Sequence, residues 1–162
     1  MTEKKPKALT LAQYEINAHE TVSTTEKWDQ VDRVLNNPEF IGLLTRYIAI
    51  GRSIENYKKA AFHGRGINNF PETVVDKTLE GRIDYNTLHG VIGVVGEAAE
   101  AAEVLLNIIE DRESDEPLDK ELGDILWYLA VAAKTVGGLE QVARDNNEKL
   151  AKRAAERDAI KS

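Results

Sequence analysis

The chain predicts an all-α fold, a four-helix-bundle core with additional N-terminal helices. Three observations carry this. Ala, Leu, Glu and Lys dominate, no segment alternates cleanly with period two, and helix start and stop signals divide the chain into successive segments. The length, 162 residues, suits one domain that buries its core without staples. The expected organisation is a disordered tail over residues 1–8 and a single all-α domain over 9–162, with its motifs in 85–158.

A first helix is expected from Leu9 to Thr21. Ser23 and Glu26 have capping-box spacing and would start a short second helix with Trp28, Val31 and Leu35 on one face. Asn36-Asn37-Pro38 starts a third, and His63-Gly64-Arg65-Gly66 breaks it after Phe62. Residues 63–84 read as a long connection, with a short helical turn near Val74 and Val75. A fourth helix covers Tyr85–Glu110, and a polar loop follows over Asp111–Glu116. Pro117 sits in the first turn of the fifth helix, which stops at Gly137-Gly138. The last helix runs from Leu139 to about Asp158.

Composition removes several function classes. There is no Cys, which excludes disulfides, thiolate metal sites and Cys nucleophiles and fits a reducing, cytoplasmic setting. No signal peptide and no membrane-spanning apolar run is visible, so no membrane partner is expected. A net charge of −7 argues against a nucleic-acid backbone as partner and is compatible with binding cations.

The chemistry concentrates on the fourth and fifth helices. Leu88, Val91, Ile92, Val95, Ala98, Ala99, Ala102, Leu105, Leu106 and Ile109 form one broad apolar face. Glu97 and Glu100, three apart, are neighbours on another, with His89, Gly93 and Val104. A lone E-x-x-E pair more often marks a solvated face. Here, however, no Lys or Arg lies between Ile83 and Asp111, so Glu97, Glu100 and Glu103 repel without a local counter-charge. A bound cation would relieve that repulsion. On the fifth helix Leu118, Leu122, Ile125, Leu126 and Leu129 make the apolar face, and Glu121 and Asp124 repeat the acidic spacing. Helices joined by a short loop pack antiparallel, so the two acidic pairs can meet. Four carboxylates are hard ligands that suit Mg²⁺ or Mn²⁺. A di-iron bundle needs Glu-x-x-His pairs, and His19, His63 and His89 have no Glu three residues earlier.

The last helix supplies cations. Leu139, Val142, Ala143 and Leu150 define its inward stripe, and Asn146, Lys149 and Arg153 lie within or beside it. Lys149 and Arg153 either snorkel from the stripe's edge or face an anion. Together with an acidic cluster they suggest a metal-bound phosphate chain.

Three segments in this order carry a family resemblance: G-E-A-A-E-A-A-E at Gly96–Glu103, E-L-G-D-I-L-W-Y at Glu121–Tyr128 and N-N-E-K-L-A-K-R at Asn146–Arg153. They resemble the MazG-like all-alpha nucleoside triphosphate pyrophosphohydrolases. Lys58-Lys59-Ala60-Ala61-Phe62-His63-Gly64-Arg65 is similar to a stretch of phage-encoded members. Ala154-Ala155 stand where members often carry an aromatic residue and Pro, and residues 1–57 match nothing assignable. The resemblance implies hydrolysis of a nucleoside triphosphate to monophosphate and pyrophosphate. It implies Mg²⁺ (or Mn²⁺) on Glu97, Glu100, Glu121 and Asp124, Glu97 as acceptor of the attacking water's proton, and phosphates gripped by Asn146, Lys149 and Arg153. It also implies a homodimer or homotetramer, for which Gly90, Gly93 and Gly96 would permit close helix approach. Three other readings stay open: a related pyrophosphatase acting on a deoxyuridine nucleotide or phosphoribosyl-ATP, a non-catalytic nucleotide binder, and a helical interaction protein.

Overall fold

The computed structural model describes residues 9–21, 27–65, 82–114 and 116–161. The tail 1–8, the Ser23–Glu26 capping box and the turn near Val74 and Val75 lie outside these residues. The described residues hold six α-helices and no strand: α1 (Leu11–Thr21), α2 (Trp28–Leu35), α3 (Pro38–His63), α4 (Tyr85–Ile109), α5 (Leu118–Ala133) and α6 (Leu139–Lys161). A 3₁₀ turn, Lys134–Val136, follows α5. The all-α expectation holds.

Local signals set the helix ends. Asn37 caps α3 by accepting a hydrogen bond from the Glu39 amide at 2.8 Å, with Pro38 in the first turn. Gly64 ends α3 at φ +62°. Asp84 caps α4 by accepting from the Thr87 amide at 2.9 Å. Pro117 is the residue before α5 rather than part of its first turn. The helical part of α5 closes at Ala133, ahead of Gly137 and Gly138 at φ +94° and +89°.

The helices fall into two compact units. One holds α1 and α6, and the other holds α2 to α5. In the first, Asn146 Nδ2 on α6 donates to the Tyr14 hydroxyl on α1 at 3.0 Å. The Leu9 amide donates to Glu140 at 3.0 Å.

In the second unit α4 packs against both α3 and α5. Ile48, Ala99, Val104, Leu106, Tyr128 and Ala133 are its buried apolar residues. Glycines set how close the helices come. A Cβ on Gly90 would meet Ala132 and the Tyr128 carbonyl at 2.7 Å, and one on Gly51 would run into Ala99. One on Gly96 would lie 2.5 Å from a carboxylate oxygen of Glu55. Gly90, Gly93 and Gly96 are therefore consumed by packing inside the subunit, and the close approach they permit is to α5 and α3. They give no argument for a subunit interface.

The inward face of α5 differs from the sequence expectation. Glu121, Tyr128 and Ala133 are its buried residues, while Leu118, Leu122, Leu126 and Leu129 are exposed, Leu122 by 53%. The reason lies on α4. The bare backbone at Gly90 and Gly93 seats Ala132 and the Tyr128 ring, which turns the Glu121–Tyr128 stripe to the seam and the leucines away from it. On α4, likewise, Glu97 and Val104 are buried while Val91 and Leu105 are exposed.

Candidate functional site

The seam that buries Tyr128 also gathers acid. Glu97 from α4 and Glu121 and Asp124 from α5 each offer a carboxylate oxygen, all within 4.8 Å of one another. Glu97 and Glu121 are buried and Asp124 is exposed. Glu100, one turn beyond Glu97, is half-buried and stands outside that triplet. It is still close enough to act electrostatically. Burial first, then Glu97 and Glu55, raises the Glu100 pKa. The Glu121 carboxyl is pushed up to about 7 by burial, then by Glu100, Glu97 and Asp124. Glu121 Oε2 is buried and has no hydrogen-bond partner among the described residues.

A cation fits this arrangement. Burying like charges is costly, and an orphaned buried carboxylate oxygen is costlier still. The donors are oxygen only, which suits a hard divalent ion.

The sequence reading gave no role in the site to two members of the cluster, Glu55 and Lys58, although Lys58 opens the stretch similar to phage-encoded members. Lys58 and Glu55 on α3 are buried, Lys58 with 2% exposure. Lys58 Nζ donates to Glu97 Oε1 at 2.9 Å and to the Tyr128 hydroxyl at 2.7 Å, and pairs with Glu55 at 2.6 Å. It also lies 4.3 Å from the centre of the Tyr128 ring. Burial opposes its charge, but the bonds to Glu55, Tyr128 and Glu97 outweigh burial and hold its pKa above the ordinary lysine value. The signal was present in the sequence. Ile48, Gly51, Glu55 and Lys58 recur at helical spacing on one face of α3, and that face is the buried one.

Aromatic side chains extend from the same place. Phe62 and His89 stack with centroids 4.2 Å apart and planes 14° apart. Tyr128 lies edge-on to His89 at 5.5 Å and to Trp127 at 4.8 Å, and Tyr85 meets Phe62 at 5.0 Å. Tyr85 and Trp127 are more than half exposed. His89 Nε2 is buried with no hydrogen-bond partner among the described residues. Burial first, then His63 and Lys58, lowers the His89 pKa and favours the neutral ring.

A cleft of about 230 Å³ is lined by Glu100 and Glu121 together with Arg52, Glu103, Asn107 and Ser114. Asn146, Lys149 and Arg153 belong to the α1–α6 unit. Asn146 is half-buried against Tyr14, and Lys149 and Arg153 are exposed.

The family model of the MazG nucleotide pyrophosphohydrolase domain matches residues 88–157. The match covers less than half of the chain, but it runs from α4 through α6 and includes the four carboxylates, Asn146, Lys149 and Arg153. It is consistent with a MazG-like superfamily member and supports a hydrolase acting on a nucleotide's phosphate chain. Neither the search of curated proteins nor that of solved structures found a match. Among the described residues no single helix is long and apolar enough to cross a membrane.

Proposed function

We propose that this protein is a Mg²⁺-dependent nucleoside triphosphate pyrophosphohydrolase, releasing pyrophosphate and leaving the monophosphate. The observation that carries the reading is the Glu97–Glu121–Asp124 cluster, with its orphaned Glu121 oxygen, inside the segment that matches the MazG domain. Glu97, Glu100, Glu121 and Asp124 would hold the ion. When bound, Mg²⁺ (or Mn²⁺) neutralises phosphate charge and acidifies water. Glu97 accepts the attacking water's proton through the oxygen that Lys58 does not bind. Lys58 holds Glu97 in place while doing so.

The aromatic cluster supports a nucleotide over a bare polyphosphate. The exposed rings of Trp127 and Tyr85 offer stacking faces for a base. Asn146, Lys149 and Arg153 grip the phosphates in this reading, as an amide, a point charge and a fork.

The assembly is a homodimer or homotetramer. Its support is the exposed stripe Leu118, Leu122, Leu126 and Leu129, an apolar row of the kind that marks interaction surfaces. The absence of Cys supports a cytoplasmic setting.

The deciding experiment measures pyrophosphate release from each common ribo- and deoxyribonucleoside triphosphate, with Mg²⁺ and with EDTA. Release with Mg²⁺, abolished by EDTA and by Glu100→Gln or Asp124→Asn, is the expected result. Full activity in EDTA, or wild-type rates in both variants, would refute the carboxylate site.

A further inference from the structure

The cleft beside the carboxylates contains an arginine whose position the pyrophosphohydrolase reading does not use. Arg52 projects from α3, and its guanidinium is paired with Glu103 on α4 through Nη2 and Oε1. Among the described residues lining the cleft, Arg52 is the sole cation. The other charged residues there are glutamates. Glu100 and Glu121 belong to the candidate metal set, and Glu116 is paired with Lys120. Asn107 and Ser114 add an amide and a hydroxyl to the same wall.

The pair is built to be exchanged rather than kept. The Arg52 side chain is 61% exposed and that of Glu103 32%, and an ion pair so open to water holds weakly. A phosphate carries more charge than one carboxylate and matches the planar fork of a guanidinium through two oxygens. Arg52 can therefore exchange Glu103 for a phosphate group.

The geometry points to a phosphate subsite in this cleft, in which Arg52 takes the distal phosphates of a metal-bound polyphosphate and Glu103 is the stand-in that holds Arg52 until the anion arrives. The ligand class is a pyrophosphate or triphosphate moiety. The inference rests on the pyrophosphohydrolase reading for its metal, but Arg52 and Glu103 lie outside the four carboxylates and outside the α6 set.

The two partners must then have opposite effects, which an ion pair serving only stability cannot produce. The probe is inorganic tripolyphosphate with Mg²⁺, titrated by calorimetry into wild type, Arg52→Ala, Arg52→Lys and Glu103→Gln, beside KM and kcat for the preferred triphosphate. Arg52→Ala should weaken tripolyphosphate binding and raise KM about ten- to a hundredfold, with kcat changed far less. Arg52→Lys should recover part of the loss. Glu103→Gln should tighten binding several-fold, because the competing carboxylate is gone. Equal, small effects of both substitutions, or none, would overturn the subsite while pyrophosphate release left the proposed function standing. Arg52-dependent binding without hydrolysis of any nucleotide would uphold the subsite and remove the function. Absence of both binding and hydrolysis would remove both.

Discussion

Gly93 on α4 backs directly onto the ring of Tyr128 on α5, leaving no room for a Cβ between them. This contact fixes which face of α5 turns inward, and so where Glu121 and Asp124 stand. It follows that Gly93→Ala should destabilise the protein by about 1–3 kcal/mol through overpacking, despite the better helix propensity of alanine. Tyr128 cannot yield cheaply, since its hydroxyl is bound by Lys58. Gly123 supplies the control. It lies within α5, is exposed and has open space around its Cβ position. Gly123→Ala should therefore stabilise by up to about 1 kcal/mol. Thermal unfolding of the two variants checks the pair, and a melting point unchanged by Gly93→Ala would contradict the packing.

Lys58 is expected to be worth more to the fold than any surface lysine. It is the buried cation between Glu55 and Glu97. Lys58→Met would leave two buried carboxylates without it, a loss of about 3–5 kcal/mol for breaking such a pair. Glu55→Gln should cost less, because Lys58 keeps Glu97 and Tyr128. Chemical denaturation of the metal-free proteins measures both. Mg²⁺ should restore part of the Lys58→Met loss by supplying positive charge to the same carboxylates.

Much of the fold was legible because its helix boundaries are written in short-range chemistry. Asn37-Pro38, Asp84, Gly64 and Gly137-Gly138 mark helix ends that local rules can find. The E-x-x-E and E-x-x-D pairs were legible for the same reason, since three-residue spacing fixes neighbours on a helix. What was hidden depends on how helices meet. Apolar count favoured the leucine face of α5 as inward, whereas Gly90 and Gly93 on α4 make close backbone contact the stronger constraint. Glu55 and Lys58 were given no site role because each looks like an ordinary surface charge until α4 and α5 close over them. Asn146, Lys149 and Arg153 sit in the α1–α6 unit, so their role rests on the motif and not on a distance.

The metal-free protein should grow less stable as pH rises toward neutrality. Glu121 titrates near 7 when folded, against 4.5 for a free glutamate, so the folded state binds its proton more tightly. The resulting stability is fully present below pH 4.5 and is lost as pH rises through about 7, a contribution of up to about 3 kcal/mol. Glu121→Gln carries no such proton. Its melting point should therefore draw ahead of the wild type as pH rises from about 5 to about 7 in EDTA and hold that lead above 7, with the two curves converging below pH 5. Parallel curves across that range would show that Glu121 is not the strained group.

Lys149 and Arg153 separate phosphate grip from metal binding. Both are exposed on α6, one turn apart, beside an Asn146 already held by Tyr14. Among the described residues neither forms an ion pair, so alanine at either place should change stability by no more than about 0.5 kcal/mol. If they hold the phosphates, Lys149→Ala and Arg153→Ala should each lower kcat/KM for the triphosphate by about ten- to a hundredfold, the loss of one charge-assisted contact. Arg153→Lys should recover little, because a lysine cannot replace a two-pronged contact. Mg²⁺ affinity measured without nucleotide should stay the same in all three, since the carboxylates are untouched. Side chains that merely snorkel would leave every kinetic constant at its wild-type value. Steady-state kinetics beside Mg²⁺ titrations of the nucleotide-free variants distinguishes the two, and an unchanged kcat/KM would end the grip assignment while leaving the metal cluster in place.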